Sequence, residues 1–294
     1  MKKKGQITRR ISPFALALGV CLVLYAVSLL LPLLWAFMTS FKLQSDFRLN
    51  VLGFPDPPAW NYSFVLSQFK IPVTTEAGIT EITMGRMYVY TIAYSLGCAF
   101  FNTLVPCITA YCCARFNKKL SAILYTTNIV TMILPIVGSL PAELQMARTL
   151  GLYDQIWGLW IMKANFLGTY FLVFHAGFRS LPLTYTEAAE IDGAGSFRIF
   201  FRIILPLVKN IFFTVLLVNF IAFWNDYQVP LLYMPRYPTL ANGVYMLATT
   251  TENNLASVPM RMTGAMLLFL PIFCLFVVFQ KRLLGSLTMG GIKG

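Results

Sequence analysis

The chain has 294 residues, of which 57% are hydrophobic and only 12% are charged, and its formal net charge is +12. An average soluble domain carries about 25% charged residues. This composition therefore excludes a soluble globular protein and indicates a protein with many membrane-spanning segments. The six cysteines lie in or at the ends of apolar runs, without the spacing of a metal or redox motif. We interpret them as small apolar residues in helix packing.

Six apolar runs follow one another along the chain, each about 18 to 27 residues long and able to cross about 30 Å of hydrocarbon as a helix. The first follows a basic start, but it is too long for the apolar region of a signal peptide and indicates an uncleaved first span. The predicted fold class is therefore all-α, a polytopic membrane protein with six transmembrane helices. The predicted spans are 13–38, 87–113, 120–140, 155–178, 203–223 and 262–279.

Two longer polar segments separate these runs on what we predict to be the outer side. Residues 39–86 contain Pro55, Pro57 and Pro58, which cannot lie inside a helix and indicate an extended segment. A short interfacial helix is predicted to begin near Trp60. A second polar loop covers 224–261.

The distribution of Lys and Arg predicts which side each segment faces. With both termini cytoplasmic, the inner segments carry most of the positive charge, as the positive-inside rule requires. This arrangement accounts for the basic excess, so no nucleic-acid partner is needed. The inner residues are Lys2, Lys3, Lys4, Arg9, Arg10, Arg115, Lys118, Lys119, Arg179, Arg198, Arg202, Lys209, Lys281, Arg282 and Lys293, and the outer ones are Lys42, Arg48, Lys70, Arg86, Arg148, Arg236 and Arg261.

A polar island lies between the fourth and fifth runs and is predicted to form two short helices. Thr184 and Glu187 have the spacing of a capping box, so a helix is expected to start after Thr184. Gly193 and Gly195 can end it, and Ser196 can cap a second helix from Phe197 onward.

The island also contains a spaced pattern of seven residues. Glu187-Ala188-Ala189 is followed by Gly193 and then by Ile203, Leu205 and Pro206. This pattern resembles the signature of the membrane subunits of binding-protein-dependent ABC importers. The longer stretch Glu-Ala-Ala-Glu-Ile-Asp-Gly-Ala, which includes Asp192, is similar to the carbohydrate type.

Other stretches extend the resemblance over nearly the whole chain. Trp224-Asn225-Asp226 is similar to a second family marker, and the tail 285–294 resembles that of the smaller membrane subunit of maltose-type importers. One departure is Tyr94-Ser95-Leu96, where the family usually has Asn-Ser-Leu.

The resemblance implies a permease subunit that works in a larger complex. The implied partners are two ATP-binding cassette subunits, a second permease subunit, an external solute-binding protein, a sugar substrate and membrane lipid. The implied location is the plasma membrane of a bacterium or archaeon, with both termini in the cytoplasm. The layout is a cytoplasmic N-terminus, 1–12, and a single transmembrane permease domain, 13–294, with an outer segment 39–86, a cytoplasmic coupling loop 179–202, an outer loop 224–261 and a cytoplasmic tail 281–294.

The resemblance also implies roles for the residues of the island, whose first helix would be a cytoplasmic coupling helix docked into an ATPase subunit. Glu187 would act as an ion-pair partner or N-terminal charge, Ala188 and Ala189 would allow close approach, and Gly193 would form the turn. The full set of expected ATPase-coupling residues is Glu187, Ala188, Ala189, Asp192, Gly193 and Arg198.

The chain carries no motif for chemistry of its own. It has no Gly-x-x-x-x-Gly-Lys-[Ser/Thr] phosphate loop, and its single histidine is His175. We therefore predict no catalytic residues, no cofactor and no metal site. Almost no ionisable residues lie in the predicted spans, which argues against a proton- or sodium-coupled carrier. The energy for transport is expected to come from a separate ATPase.

Several polar residues near the middle of the runs have two open interpretations. They could line the path of a sugar, or they could form ordinary hydrogen bonds between helices. The candidates for a substrate path are Asn102, Asn128, Thr131 and Asn219.

Two other functions remain open at this point. The same architecture could import a phosphorylated polyol or a lipid-linked sugar. A six-span protein without transport activity could instead use the island to bind a partner that is not an ATPase.

Overall fold

A computed structural model describes residues 12–75, 78–115, 118–134, 138–251 and 255–287. The chain is mostly helical, and its contacts divide it into two compact units. The first unit comprises the described residues up to Val65 together with Thr251–Leu267, and the second comprises Leu66–Thr250 and the chain from Leu268. The positively charged start at 1–11 and the tail residues 288–294 lie outside the described residues.

The first unit is built on a long apolar helix, α1 (Pro13–Thr39). Ser12 caps this helix, since its hydroxyl accepts a hydrogen bond from the N–H of Ala15 at 3.2 Å. Most of its side chains are exposed, which is the pattern of a helix that faces lipid rather than a protein core. The unit also contains α2 (Gln44–Leu49) and most of α3 (Asn61–Gln68).

Polar contacts fix the residues that follow α1. The Asn61 side-chain amide donates to the carbonyls of Ser40 and Lys42, at 2.9 and 2.8 Å. Thr263 donates to the same Ser40 carbonyl at 3.1 Å, and the hydroxyls of Ser40 and Tyr62 lie 2.8 Å apart. Asn61 and Tyr62 begin α3, so the short helix predicted near Trp60 is confirmed.

The second unit is organised around one long helix, α4 (Met84–Arg115). An antiparallel hairpin of β1 (Lys70–Thr75) and β2 (Gly78–Thr83) leads into it, with Ile71 opposite Ile82. The helices α5, α7, α8, α12 and α14 all contact α4. The remaining elements are α5 (Lys118–Ile133), α6 (Leu140–Thr149), α7 (Ile156–Met162), α8 (Thr169–Arg179), α9 (Thr184–Ile191), α10 (Ser196–Ile199), a π-helical turn (Phe200–Ile204), α11 (Leu205–Leu207), α12 (Lys209–Asn225), α13 (Gln228–Tyr233), α14 (Leu240–Thr249) and α15 (Val258–Leu287), the first part of which belongs to the first unit.

Three helices in the described part of the chain are long and apolar enough to cross a membrane alone: Pro13–Thr39, Met84–Arg115 and Val258–Gln280. A fourth candidate is the pair Ser196–Leu207 and Lys209–Asn225, which is bent by 80°. The predicted fifth run, 203–223, therefore does not form one straight helix. The bend follows Pro206, which has no N–H for the helical ladder, and a π-helical turn, which already loosens that ladder.

The predicted fourth span, 155–178, does not form one continuous helix. The chain forms α7 and α8 instead, and Gly168 between them has a φ of +127°. The Asn128 side chain binds both backbone groups of this glycine, with Gly168 N–H donating at 2.6 Å and Gly168 C=O accepting at 3.4 Å. A side-chain amide thus satisfies the backbone where the helix stops, which allows the break to lie among apolar residues.

Close packing of α4 against α7 gives a test of this arrangement. A Cβ atom added at Gly97 would lie 2.1 Å from the Trp160 ring. That ring cannot easily move, because its N–H donates to the Ala93 carbonyl at 3.1 Å. Gly97→Ala should lower stability by about 1–3 kcal/mol through overpacking, measured as the apparent melting temperature in detergent.

Gly85 lies in the same helix, and a Cβ atom added there would meet no other atom within 4 Å. Gly85→Ala is therefore the matched control and should leave stability unchanged or raise it by at most about 1 kcal/mol. Equal melting temperatures for the two variants would contradict the packing.

Candidate functional site

The polar island folds as a short helix, α9, followed by a turn and α10. The helix begins at Thr184 with Leu183 as the N-cap residue, and no side chain caps it. The capping box predicted from Thr184 and Glu187 is therefore wrong, because Thr184 is already inside the helix. Glu187 still lies in the first turn, where its negative charge interacts favourably with the helix dipole.

The end of α9 is fixed by a glycine turn of the Schellman type. Gly193 has a φ of +75°, its N–H donates to the Glu190 carbonyl at 3.0 Å, and the N–H of Ala194 donates to the Ala189 carbonyl at 2.9 Å. This is the pair of reverse hydrogen bonds that closes such a turn. The prediction that Gly193 ends the helix is confirmed. The predicted cap at Ser196 is wrong, since Gly195 is the N-cap and Ser196 is the first residue of α10.

One face of α9 packs into a buried aromatic cluster. Ala189 is only 7% exposed and belongs to the same core cluster as Tyr111, Phe178 and Phe200. The Tyr111 ring lies 4.9 Å from that of Phe200 and 5.6 Å from that of Phe178. A small residue at position 189 therefore lets α9 approach the ends of α4 and α8. The other expected coupling residues, Glu187, Ala188, Asp192, Gly193 and Arg198, are exposed.

The outward side of the island exposes large apolar side chains. Ile191 is 86% exposed and Phe197 is 83% exposed. Phe197 also stacks on Phe201, with ring centroids 6.3 Å apart and planes 11° apart. We call Ile191, Phe197 and Phe201 the apolar face. Exposed apolar groups of this kind indicate an interaction surface, and the sequence pattern did not single them out.

Arg115, the last residue of α4, connects that helix to the chain just before α9. Its Nη2 atom donates to the carbonyls of Phe178 and Leu181, each at 3.1 Å. These two carbonyls lie at the end of α8 and in the connection to α9. A charged donor on terminal carbonyls makes a strong hydrogen bond, so Arg115 fixes the direction of the chain into α9. In the sequence analysis, Arg115 served only as one of the basic residues that indicate the cytoplasmic side, and these hydrogen bonds were not predicted.

Two of the four candidate path residues come together in the second unit. Asn102 in α4 and Asn219 in α12 bind each other at 3.4 Å, and Asn219 also donates to the Thr103 hydroxyl at 3.0 Å. Asn102 further lines a cavity of about 270 Å³ together with Asn165 and Tyr170.

The other two candidates bind backbone groups of the protein. Asn128 binds the backbone of Gly168, as described above. Thr131 donates to the Asn128 carbonyl of its own helix at 3.0 Å. Within the described part of the chain, no three His, Cys, Asp or Glu side chains are arranged as a metal site.

An ion pair joins the connection between α6 and α7 to the connection between α13 and α14. Asp154 pairs with the Arg236 side chain, and its Oδ1 atom also accepts from the Arg236 N–H at 3.0 Å. Nearby, Tyr233 donates to Glu143 at 3.2 Å. A hydrogen bond from Ser139, and a second from Tyr233, hold the pKa of the Glu143 carboxyl below its ordinary value. The predicted outer loop is therefore fixed to the connection 150–155.

Tyr94, which stands where the family pattern usually has Asn, lies in the same core cluster as Tyr233. Tyr94 is fully buried, and its hydroxyl donates to Asp226 at 2.9 Å. Asp226 also accepts from the Val229 N–H at 3.2 Å, at the start of α13. The tyrosine thus binds the second family marker, Trp224-Asn225-Asp226.

Comparisons with known proteins agree with this geometry. The family described as "Binding-protein-dependent transport system inner membrane component" matches residues 102–287. The galactooligosaccharides transport system permease protein GanQ of Bacillus subtilis is 29% identical over 93% of this chain and 93% of its own length. The diacetylchitobiose uptake system permease protein NgcG of Streptomyces coelicolor is 24% identical over 95% of this chain and 89% of its own length.

A solved structure has the same fold. It is described as a bacterial ABC transporter involved in the import of the acidic polysaccharide alginate, and one of its chains matches with a TM-score of 0.76. The match covers 95% of this chain and 99% of that chain, at 21% identity.

The glycine turn after α9 can be tested directly. A Cβ atom at Gly193 would meet no other atom within 4 Å, so Gly193→Ala should cost only the strain of a positive φ, about 1–2 kcal/mol. Amide hydrogens of residues 184–194 should then exchange roughly 5 to 30 times faster, measured by hydrogen–deuterium exchange.

Gly195 also meets no atom within 4 Å, but its φ is −70°. Gly195→Ala should leave exchange in this segment unchanged. Faster exchange of the same size in both variants would mean that the positive φ of Gly193 is not what matters.

Proposed function

The chain belongs to the family of binding-protein-dependent transport system inner membrane components, and from this we propose that it is the permease subunit of an ATP-driven carbohydrate importer. The observation that carries the proposal is the two-sided structure of α9. Its buried side, at Ala189, packs into the bundle, and its neighbours Ile191 and Phe197 are exposed. A rigid element with one buried and one free side is what a coupling helix needs.

The substrate class is inferred from the relatives. Two proteins that align with more than nine-tenths of this chain are named for galactooligosaccharide transport and diacetylchitobiose uptake. We propose that this chain likewise handles a sugar or oligosaccharide, delivered by an external binding protein.

The assembly proposed here has five parts: this chain, a second permease subunit, two ATPase subunits and the binding protein. One ATPase subunit would receive the apolar face together with the charged residues Glu187, Asp192 and Arg198, all of which are exposed. Closure of the ATPase dimer would move α9. The aromatic cluster and the Arg115 hydrogen bonds would carry that movement to α4 and α8 as a rigid body.

Six spans would complete the membrane domain. We propose that α5 and the broken pair α7–α8 cross the bilayer in addition to the four candidates described above. Broken helices occur at membrane depth where their backbone groups find partners inside the protein, and Asn128 supplies these partners at Gly168. The positive-inside rule puts both termini and α9 in the cytoplasm.

The path of the sugar would run past Asn102. Its cavity of about 270 Å³ also contains Asn165 and Tyr170, which offer amide groups and an aromatic face to sugar hydroxyls and ring C–H groups. The side chains of Asn128 and Thr131 are already bound to backbone groups of the protein and are less suited to contact a moving substrate.

Reconstitution tests the function as a whole. The full-length chain should co-purify with a separate ATPase, and in proteoliposomes the ATPase activity should rise when the sugar-loaded binding protein is added. A chain that purifies from membranes without any ATPase would contradict the proposal. An ATPase activity that does not change when the sugar-loaded binding protein is added would also contradict it. Uptake of a phosphorylated polyol instead of a sugar would support the proposed importer assembly but contradict the proposed substrate class.

The apolar face provides a specific prediction. Phe197→Ala or Ile191→Ala should weaken ATPase association roughly tenfold or more, because exposed aromatic and large apolar anchors dominate interface energies. The measurement is the amount of ATPase retained with the purified chain.

Leu49→Ala is the matched control, since Leu49 is 92% exposed but lies in α2, on the proposed outer side. It should retain the ATPase fully. Full retention by Phe197→Ala and Ile191→Ala as well would exclude the apolar face as the docking surface.

The proposed path gives a second prediction. Asn102→Ala should raise the sugar concentration needed for half-maximal uptake by roughly 5- to 10-fold, the loss of about one hydrogen bond, without releasing the ATPase. Thr131→Ala should change neither, because its hydroxyl binds the carbonyl of its own helix. Uptake is measured with labelled sugar in proteoliposomes, and equal kinetics for both variants would remove Asn102 from the path.

A further inference from the structure

A second, larger cavity lies beside the coupling helix and is not used by the proposed transport path. Its volume is about 610 Å³, and it is lined by the end of α4, the first half of α5, the end of α8 and the connection to α9. Its described lining contains two arginines, a histidine and several hydroxyl groups, and no acidic residue. The lining residues are Cys113, Ala114, Arg115, Ser121, Ala122, Tyr125, Thr126, His175, Arg179, Leu181 and Leu183.

His175 is the strongest sign that this cavity binds a ligand. It is only 5% exposed, and its Nε2 atom has no hydrogen-bond partner among the described residues. The ring is held in place between Phe171, stacked at 5.7 Å, and Tyr125 at 5.2 Å. A buried polar atom without a partner is costly, and a ligand acceptor at this position would satisfy it.

The other polar groups of the cavity are also donors. The Nε atom of Arg115 is buried without a partner in the described part of the chain, although its Nη2 atom binds two carbonyls. The hydroxyl of Ser121 accepts from the Cys113 thiol at 3.3 Å, and a hydroxyl carries one hydrogen of its own to donate. Arg179 is exposed at the rim. Donors that converge without an acid among them favour an oxyanion, and arginines suit phosphate in particular.

We propose that this cavity binds the phosphate group of an anionic membrane phospholipid. The apolar side chains of α5 provide the place for the acyl chains, since Ile123 is 62% exposed and Ile133 is 73% exposed on the same helix that lines the cavity. A basic pocket between helices, next to an exposed apolar helix surface, is the usual form of such a headgroup site. A soluble phosphate ester would use the same donors but would gain nothing from α5.

The position of the cavity suggests a consequence that rests on the proposed function. Leu181 and Leu183 lie in the connection to α9, and Leu183 is its N-cap residue. A bound lipid would therefore link α5 to the base of the coupling helix, and ATPase coupling would depend on the anionic lipid content of the membrane.

Native mass spectrometry of the full-length chain, purified in detergent with the subunits that accompany it, tests the binding itself. The probe is an equal mixture of phosphatidylglycerol and phosphatidylcholine. The wild type should retain phosphatidylglycerol in excess, and Arg179→Gln should reduce that excess about fivefold. Arg202→Gln removes the same charge from an exposed residue that does not line the cavity, and it should keep the excess.

A second variant and a competitor complete the experiment. Arg179→Glu should abolish the preference, and as an exposed substitution it should not affect folding. Equal retention of the two lipids by the wild type would overturn the proposal, as would equal losses in Arg179→Gln and Arg202→Gln. Displacement of phosphatidylglycerol by millimolar glycerol phosphate would overturn the lipid assignment in favour of a soluble ester. None of these readouts requires transport, so the binding site and the importer function can fail separately.

Discussion

Backbone polar groups that lie among apolar side chains must find partners inside the protein, because hydrocarbon offers none. This constraint explains the least regular parts of the structure. Where α7 and α8 are interrupted, the Asn128 side chain binds both backbone groups of Gly168. Where α8 ends, Arg115 binds the carbonyls of Phe178 and Leu181. At both of these interruptions, a side chain from another helix therefore supplies the partner that the backbone lacks.

The same kind of contact holds α9 in place. Arg115 fixes the chain that enters the helix, the Gly193 turn fixes the chain that leaves it, and Ala189 packs against the aromatic cluster between them. The helix α9 is thus held at both ends and along one side. Force applied to its exposed side would thus reach the membrane helices without being lost in a flexible loop.

The four polar candidates in the predicted spans divide into two kinds. Asn128 and Thr131 serve the protein backbone, and Asn219 binds Asn102 and Thr103. Asn102 alone among the four also lines a cavity. The large cavity around His175 is different again, because His175 Nε2 and Arg115 Nε have no hydrogen-bond partner among the described residues. A carbohydrate path and an anion site can therefore exist in one chain without sharing residues.

The amino-acid sequence alone was sufficient for the class of protein and the family. Long apolar runs and the Glu187–Pro206 spacing are local features, and the helix end at Gly193 follows from its freedom to adopt a positive φ. Local patterns gave the wrong capping residues and a continuous fourth span. The reason is that Asn128 competes for the backbone at Gly168 from forty residues away. Tertiary packing also decides that Ala189 is buried, that Phe197 is exposed and that Arg115 and His175 line one cavity. These features depend on which helices pack together, and the spacing of residues along the chain does not determine that packing.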